Sequence, residues 1–233
     1  MNISLEKKTF KWRHSLLLVP VLIFGLQACS SDDDAELSSD LYDSASSTLA
    51  SLRSDLDSLP LGDLTDVERD GILYMREEEK LARDVYLHLY DVWQLRVFDN
   101  ISVSEQTHMD AMLLLIDRYQ LPDPAGDKDQ GAFENATLQQ LHDDLVADGN
   151  ASLIDALEVG ALIEEVDIID IQRYIDAVED NDDIVMVYEN LMKGSRNHLR
   201  AFVRNLETQG IDYAPLYLDP GVYEAIVNSP MEH

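Results

Sequence analysis

Residues 75–93 read Met75-Arg76-Glu77-Glu78-Glu79-Lys80-Leu81-Ala82-Arg83-Asp84-Val85-Tyr86-Leu87-His88-Leu89-Tyr90-Asp91-Val92-Trp93. A helix turns by about 100° per residue. On that wheel Met75, Glu79, Ala82, Tyr86, Leu89 and Trp93 fall within one narrow stripe. The segment is therefore an amphipathic helix with an acid, Glu79, set in its apolar face. Glu77 points well away from the stripe, and Glu78 lies on its flank as a second choice for the role of Glu79.

Outward from this segment the same period continues. Upstream, Thr65-Asp66-Val67-Glu68 spells a capping box that starts the helix. Downstream, Ser102 or Ser104 opens a second helix that reaches about Tyr119 and puts Ile101, Glu105, His108, Met112, Leu115 and Tyr119 on one stripe. The stretch from Leu121 to Asn150, with Pro122, Pro124 and Gly126, is too long for a tight turn and holds its own short helix, roughly Thr137 to Val146. A third helix follows Ser152 and ends near Val178. It aligns Leu157, Ala161, Glu164, Ile168, Ile171 and Ile175, with Glu165 turned about 100° aside. Asn181-Asp182-Asp183 breaks the chain, and a fourth helix runs to Gln209-Gly210 with Ile184, Val187, Leu191, His198 and Phe202 in line, Gly194 and Ser195 close by. β-Branched residues sit at helical spacing rather than alternating. Two helices, a long crossover with a short extra helix, then two more helices is the order of an all-α, ferritin-like four-helix bundle over residues 63–208. Pro215, Pro220 and Pro230 mark 209–233 as an irregular tail.

The stripes bring five polar residues inward: Glu79, Glu105, His108, Glu164 and His198. Each has a plain explanation by itself. Ser102-x-x-Glu105 is also a capping box, Glu164 suits a salt bridge at a bundle edge, and His198 suits a hydrogen-bonded core histidine. Together they do not. Burying carboxylates without partners costs several kcal/mol each, so three of them on apolar stripes call for a shared cation or for protonation. Glu-x-x-His at 105–108 places both side chains on one face, a turn apart, where they can serve one ion. Mixed carboxylate and imidazole ligation suits iron or manganese, with zinc also compatible. Tyr86, on the stripe with Glu79, is placed to hydrogen-bond a ligand or to fill the core.

The start of the chain reads differently. Lys7, Lys8, Lys11 and Arg13 precede an apolar run from Leu16 to Leu26, the pattern of an export signal in residues 1–28 rather than a spanning helix. It ends in Leu26-Gln27-Ala28-Cys29, which resembles a bacterial lipoprotein signal, and Cys29 is the one cysteine of the 233 residues. Lipidation of Cys29 would tether the mature chain to a membrane of the cell envelope, at the outer membrane or cell surface rather than the inner membrane. It would also leave no thiol for a disulfide. Residues 29–62, rich in Ser and Asp, read as an acidic tether with a marginal helix around Leu49, Leu52 and Leu56. Residues 1–28 hold four of the 17 Lys and Arg and one of the 46 Asp and Glu, so the remainder carries a formal charge of −32. Such a surface excludes nucleic acid as a partner. A tether and acidic linker suit small units, and pairing into a homodimer stays open.

The segment Glu79-Lys80-Leu81-Ala82-Arg83-Asp84-Val85-Tyr86 is similar to the E-x-x-A-R-x-x-Y first-helix pattern of rubrerythrins. The EEEKLARDVY, SEQTH, GALIEEVDI and GSRNHLRAF blocks, in this order from about Leu64 to Leu206, resemble the ferritin-like family catalogued as domain of unknown function 2202. That resemblance implies a ferritin-like fold and metal binding, and no particular activity. Ferritin-like di-iron centres take one Glu from each of two helices and Glu-x-x-His from each of the others. Carried over, this gives Glu79, Glu105 with His108, Glu164 and His198, but Ser195 stands where a fourth carboxylate belongs. Three carboxylates and a small serine imply an asymmetric di-metal centre open to solvent at Ser195, or a single ion. No Cys-x-x-Cys pair exists, so the rubredoxin-type iron centre of rubrerythrins is absent. The expected role is metal-centred redox chemistry, ferroxidase or peroxide-consuming. A non-catalytic metal-sequestering or structural lipoprotein is the alternative.

Overall fold

Thr65 opens the first long helix as its capping box requires: its hydroxyl accepts from Glu68 N–H, and the Glu68 carboxylate accepts from Thr65 N–H. The computed structural model describes residues 46–232, so the export signal and Cys29 lie outside the described residues. Among the described residues there are seven helices and no strands: α1 (46–58), α2 (Asp66–Trp93), α3 (Arg96–Arg118), α4 (Ala136–Gly149), α5 (Leu153–Ala177), α6 (Asp182–Thr208) and α7 (Pro220–Val227). None of them is long and apolar enough to cross a membrane.

The four long helices pack in a ring, α2 on α3, α3 on α6, α6 on α5 and α5 on α2, with α4 against α2 and α5 and α7 against α6. Their stripes meet in a continuous core that includes Met75, Leu115, Leu157, Ile171, Leu191 and Phe202. Side-chain caps set several starts: Ser152 Oγ accepts from Asp155 N–H at α5, Asn135 caps α4 and Asp219 caps α7.

Two expectations are corrected. Helix α3 starts at Arg96, not at Ser102 or Ser104. Its N-cap, Leu95, makes no side-chain cap, and Ser102 Oγ donates instead to Asp99 C=O. Packing sets this start, since Phe98 and Ile101 are buried and only Gln94 and Leu95 separate α3 from α2. Glu105 therefore sits mid-helix and caps nothing. The helix expected around Leu49, Leu52 and Leu56 is present as α1, with Leu52 and Leu56 buried. The tail, expected to be irregular, contains α7, with the Pro220 at its first turn that a capped start favours.

The polar side of α2 is covered as well. Arg76, Glu77 and Lys80 are at most 5% exposed, because the crossover 119–135 lies over them. Glu77 accepts from the N–H groups of Glu134 and Asn135, and Arg76 pairs with Asp123 at 2.9 Å. Lys80 meets Asp84 at 2.5 Å and sits over the Phe133 ring, while Asp84 accepts from Gly131 N–H. On the far side Glu165 accepts from Leu216, Tyr217 and Leu218 N–H and from the Tyr213 hydroxyl, which fixes the tail to α5.

Candidate metal centre

Glu79 on α2, Glu105 and His108 on α3, Glu164 on α5 and His198 on α6 converge midway along the ring, all of them buried. They form two triads that share Glu105: Glu79, Glu105 and His108, and Glu105, Glu164 and His198, the donor atoms of each within 4.8 Å of one another. His108 Nδ1 stands 3.1 Å from Glu79 Oε2 and 2.8 Å from Glu105 Oε2. His198 Nδ1 stands 2.9 Å from Glu105 Oε1 and 3.4 Å from Glu164 Oε2. Each oxygen of Glu105 thus faces a different imidazole. The two rings lie nearly parallel with centroids 5.4 Å apart.

Separation and direction disagree within the cluster. Glu79 Oε1, Glu105 Oε2 and His198 Nδ1 are buried and make no hydrogen bond, although the last two have an oppositely charged atom within 2.9 Å. His108 Nδ1 is hydrogen-bonded to Glu79 Oε2, but the other donor atoms crowd together without pointing protons at one another, as ligands around a point between them do. Two ligands held at right angles about 2.1 Å from one ion stand about 3 Å apart, the spacing found here. The residues present therefore fit a divalent cation in either triad.

Supporting contacts fix the ligands. The Tyr86 hydroxyl donates to Glu164 Oε1 at 2.5 Å, and His198 Nε2 is hydrogen-bonded to Ser104 Oγ at 2.8 Å. Phe98, Phe202 and Tyr86 pack at centroid distances of 5.2–6.4 Å and form a dry floor. Gly194 is needed for room, because a Cβ there would overlap the imidazole of His108.

With this geometry in hand, the sequence family described as "Uncharacterized protein domain (DUF2202)" is found to match residues 68–230. The chain belongs to this family. Among known proteins it is similar to "Uncharacterized protein MJ0754" of Methanocaldococcus jannaschii, 50% identical over 177 residues that make up 76% of this chain and 95% of that one. The crystal structure of hypothetical protein MJ0754 from Methanococcus jannaschii DSM 2661 superposes with a TM-score of 0.73 at 49% identity, covering 75% of this chain and 99% of the other.

In this DUF2202 protein all five residues selected from the stripes meet, Glu79 rather than Glu78 and Glu164 rather than Glu165. Sequence reasoning missed Asp167, one turn beyond Glu164 on α5. Asp167 Oδ2 accepts from Ser195 Oγ–H, and its Oδ1 is buried without a hydrogen bond. The i, i+3 spacing from Glu164 was the available signal. It also corrects the reading of Ser195, which is fully buried and occupied by Asp167, not an opening to solvent. The opening lies on the imidazole side, where a cavity of about 280 Å³ is lined by Thr48 and Leu49 of α1, Asn100 and Thr107 of α3, Lys193 and Asn197 of α6, and both histidines.

Burial drives the carboxyls of the DUF2202 centre up and its imidazoles down, and opposite charges then decide each case. For Glu105 burial loses: the charges of His198 and His108 hold it well below the usual carboxylate range. Burial wins at Glu79 and Glu164, which rise to about 7; their imidazole partners pull them down and Glu105 pushes them up. His198, lowered by burial, is carried by Glu105 and Glu164 to about 9, and Glu79 and Glu105 raise His108 well above its ordinary value against the same burial. Asp167 is pushed well above the carboxylate range by burial, then by Glu79, Glu78, Glu164 and Glu105.

Proposed function

We propose that the chain is a ferritin-like protein whose five-residue centre holds one or two divalent iron or manganese ions, and that it performs redox chemistry on dioxygen or peroxide at the cell envelope. One observation carries this reading: Glu105 offers one oxygen to each imidazole, and each imidazole has a carboxylate of its own, Glu79 or Glu164. The ring of four long helices with a long crossover between the second and third supports the ferritin-like assignment. The lipid anchor rests on the sequence around Cys29 alone.

Iron or manganese held there would supply electron transfer to a small oxidant and charge to polarise it. The protein's own contribution is to hold and to select. Glu79, Glu105 and His108 would hold one ion, and Glu105, Glu164 and His198 another. A proton on His198 Nε2 shared with Ser104 Oγ leaves Nδ1 as the free lone pair, and the Tyr86 hydroxyl orients Glu164. Glu79 and Glu164, raised to about 7 in the metal-free protein, would release their protons as an ion binds. The aromatic floor excludes water from below, so a small molecule reaches the centre through the cavity over the histidines.

Metal analysis of protein purified without chelator, followed by dioxygen and peroxide consumption with added Fe(II), tests this reading. Bound metal with turnover that disappears in His108→Ala supports it. Stoichiometric binding without turnover reduces it to sequestration. A metal-free protein with no affinity for Fe(II) or Mn(II) removes the centre altogether. Labelled palmitate incorporation that is lost in Cys29→Ala tests the anchor.

A further inference from the structure

Glu164 is the first member of a series. Asp167, Asp170 and Arg173 follow it at three-residue steps along α5, each about one turn on and about 60° further round, so the series winds from the inward side of the helix to its surface. On α2, Glu78 faces this row. It is 5% exposed, and neither of its carboxylate oxygens makes a hydrogen bond. No backbone N–H of the crossover or tail bonds to it, in contrast to Glu77 and Glu165. Glu78 and Asp170 stand within hydrogen-bonding reach of each other, a contact that two carboxylates make only around a shared proton or a shared cation. Asp167, with Oδ1 unbonded, lies a turn from Asp170 on one side and from Glu164 on the other, and the charges of Glu78, Glu79 and Glu164 all bear on it.

Burial falls off along the row. The Asp170 side chain is 7% exposed, and Arg173, its partner at 3.3 Å, is 38% exposed. The Arg173 guanidinium lies 4.5 Å from the Tyr174 ring centre and 5.9 Å from that of Tyr74, so one exposed cation stands at the surface end of a carboxylate series whose inner end is the candidate metal centre.

We propose that Glu78 and Asp170 form a binding station for a divalent cation, and that Asp167 passes the ion from this station to the centre. The inference rests on the reading of the centre as a metal site. The station offers oxygen ligands only, the chemistry that hard, labile divalent ions such as Mn(II) and Fe(II) accept. Arg173 neutralises Asp170 until an ion displaces it. The acidic chain, with a formal charge of −29, concentrates such ions around its surface. Metal thus enters between α2 and α5, and the small oxidant enters from the opposite, imidazole side between α3 and α6.

The test is Mn(II) loading of the chelator-stripped full chain, followed by the loss of the free Mn(II) EPR signal, with final content from elemental analysis. Glu78→Gln and Asp170→Asn should fill the centre at least about tenfold more slowly and to the same final content, while Arg173→Ala, which clears the mouth, should fill it faster. That gain in rate is one that structural damage does not produce, and it carries the test should the two buried substitutions fail to fold. Unchanged rates in the three variants overturn the station and leave Glu78 and Asp170 sharing a proton. A lower final content in Glu78→Gln at full rate overturns it too, since Glu78 would then be a ligand of the centre. If the unmodified chain takes up no Mn(II), the centre itself fails and the station with it; if the centre fills normally and the variants match it, only the station fails.

Discussion

Glu164 and Glu165 are adjacent on α5 and equally buried, yet they live in opposite surroundings. Glu165 is saturated by three backbone N–H groups and the Tyr213 hydroxyl where the tail crosses the helix. Glu164 faces an imidazole and another carboxylate, with one donor, Tyr86. The same contrast separates Glu77, closed by the crossover backbone, from Glu79, whose Oε1 is bonded to nothing. The outer carboxylates hold loops onto helices through those backbone donors. The inner ones are crowded, and they lose stability unless a cation joins them. A buried acid with backbone donors is part of the scaffold; a buried acid without them is waiting for something.

Substitutions can break this comparison. The largest effect belongs to Glu105→Ala: both triads use Glu105, so metal content should fall to zero by elemental analysis, whereas Glu79→Ala should leave the Glu164–His198 triad able to bind. Equal metal in Glu105→Ala and the unmodified chain would break the shared-ligand geometry. Next is Glu165→Ala, which leaves three N–H groups and a hydroxyl without an acceptor and should cost about 2–4 kcal/mol in denaturant unfolding with metal content unchanged. Gly194→Ala forces the His108 ring aside, an overpacking cost of about 1–3 kcal/mol, and should weaken the Glu79–His108 triad more than its neighbour. Tyr86→Phe removes the donor to Glu164 and should weaken metal binding at that triad by about tenfold.

The mildest effect is a slope with pH. Glu79 and Glu164 bind their protons more tightly folded, at about 7, than unfolded at about 4.3, and His198 does so at about 9 against about 6.5. Each contribution is complete below the unfolded value and vanishes as pH rises through the folded one. The melting temperature of chelator-treated protein should therefore fall steadily between pH 5 and pH 9. The metal-loaded protein should lose this slope, because metal replaces those protons and binds more tightly as pH rises. A melting temperature that climbs over this range without metal would contradict the crowding of the inner acids.

Part of this was readable from residue order. The Thr65–Glu68 capping box and Ser152 are local devices whose partners lie within a turn, so the starts of α2 and α5 follow from sequence. The start of α3 does not, since Leu95 caps nothing and the burial of Phe98 and Ile101 by other helices extends it upstream of the serines. Asp219-Pro220 did announce α7, a signal masked by the other prolines of the tail. Asp167 was one step of the same i, i+3 rule that selected His108 from Glu105.

By itself, the sequence determined which side chains face inward, because a helix of fixed pitch assigns every residue a direction: Glu79, Glu105, His108, Glu164 and His198 turn toward a common axis. Only the tertiary structure decided what else would be buried and on what terms. The crossover and tail, remote in sequence, close over Glu77 and Glu165. Asp167 and Ser195 meet across α5 and α6, and the opening falls beside the imidazoles. Helical periodicity is a property of a few neighbouring residues, whereas these contacts join residues tens of positions apart, and the chain must fold before such residues meet.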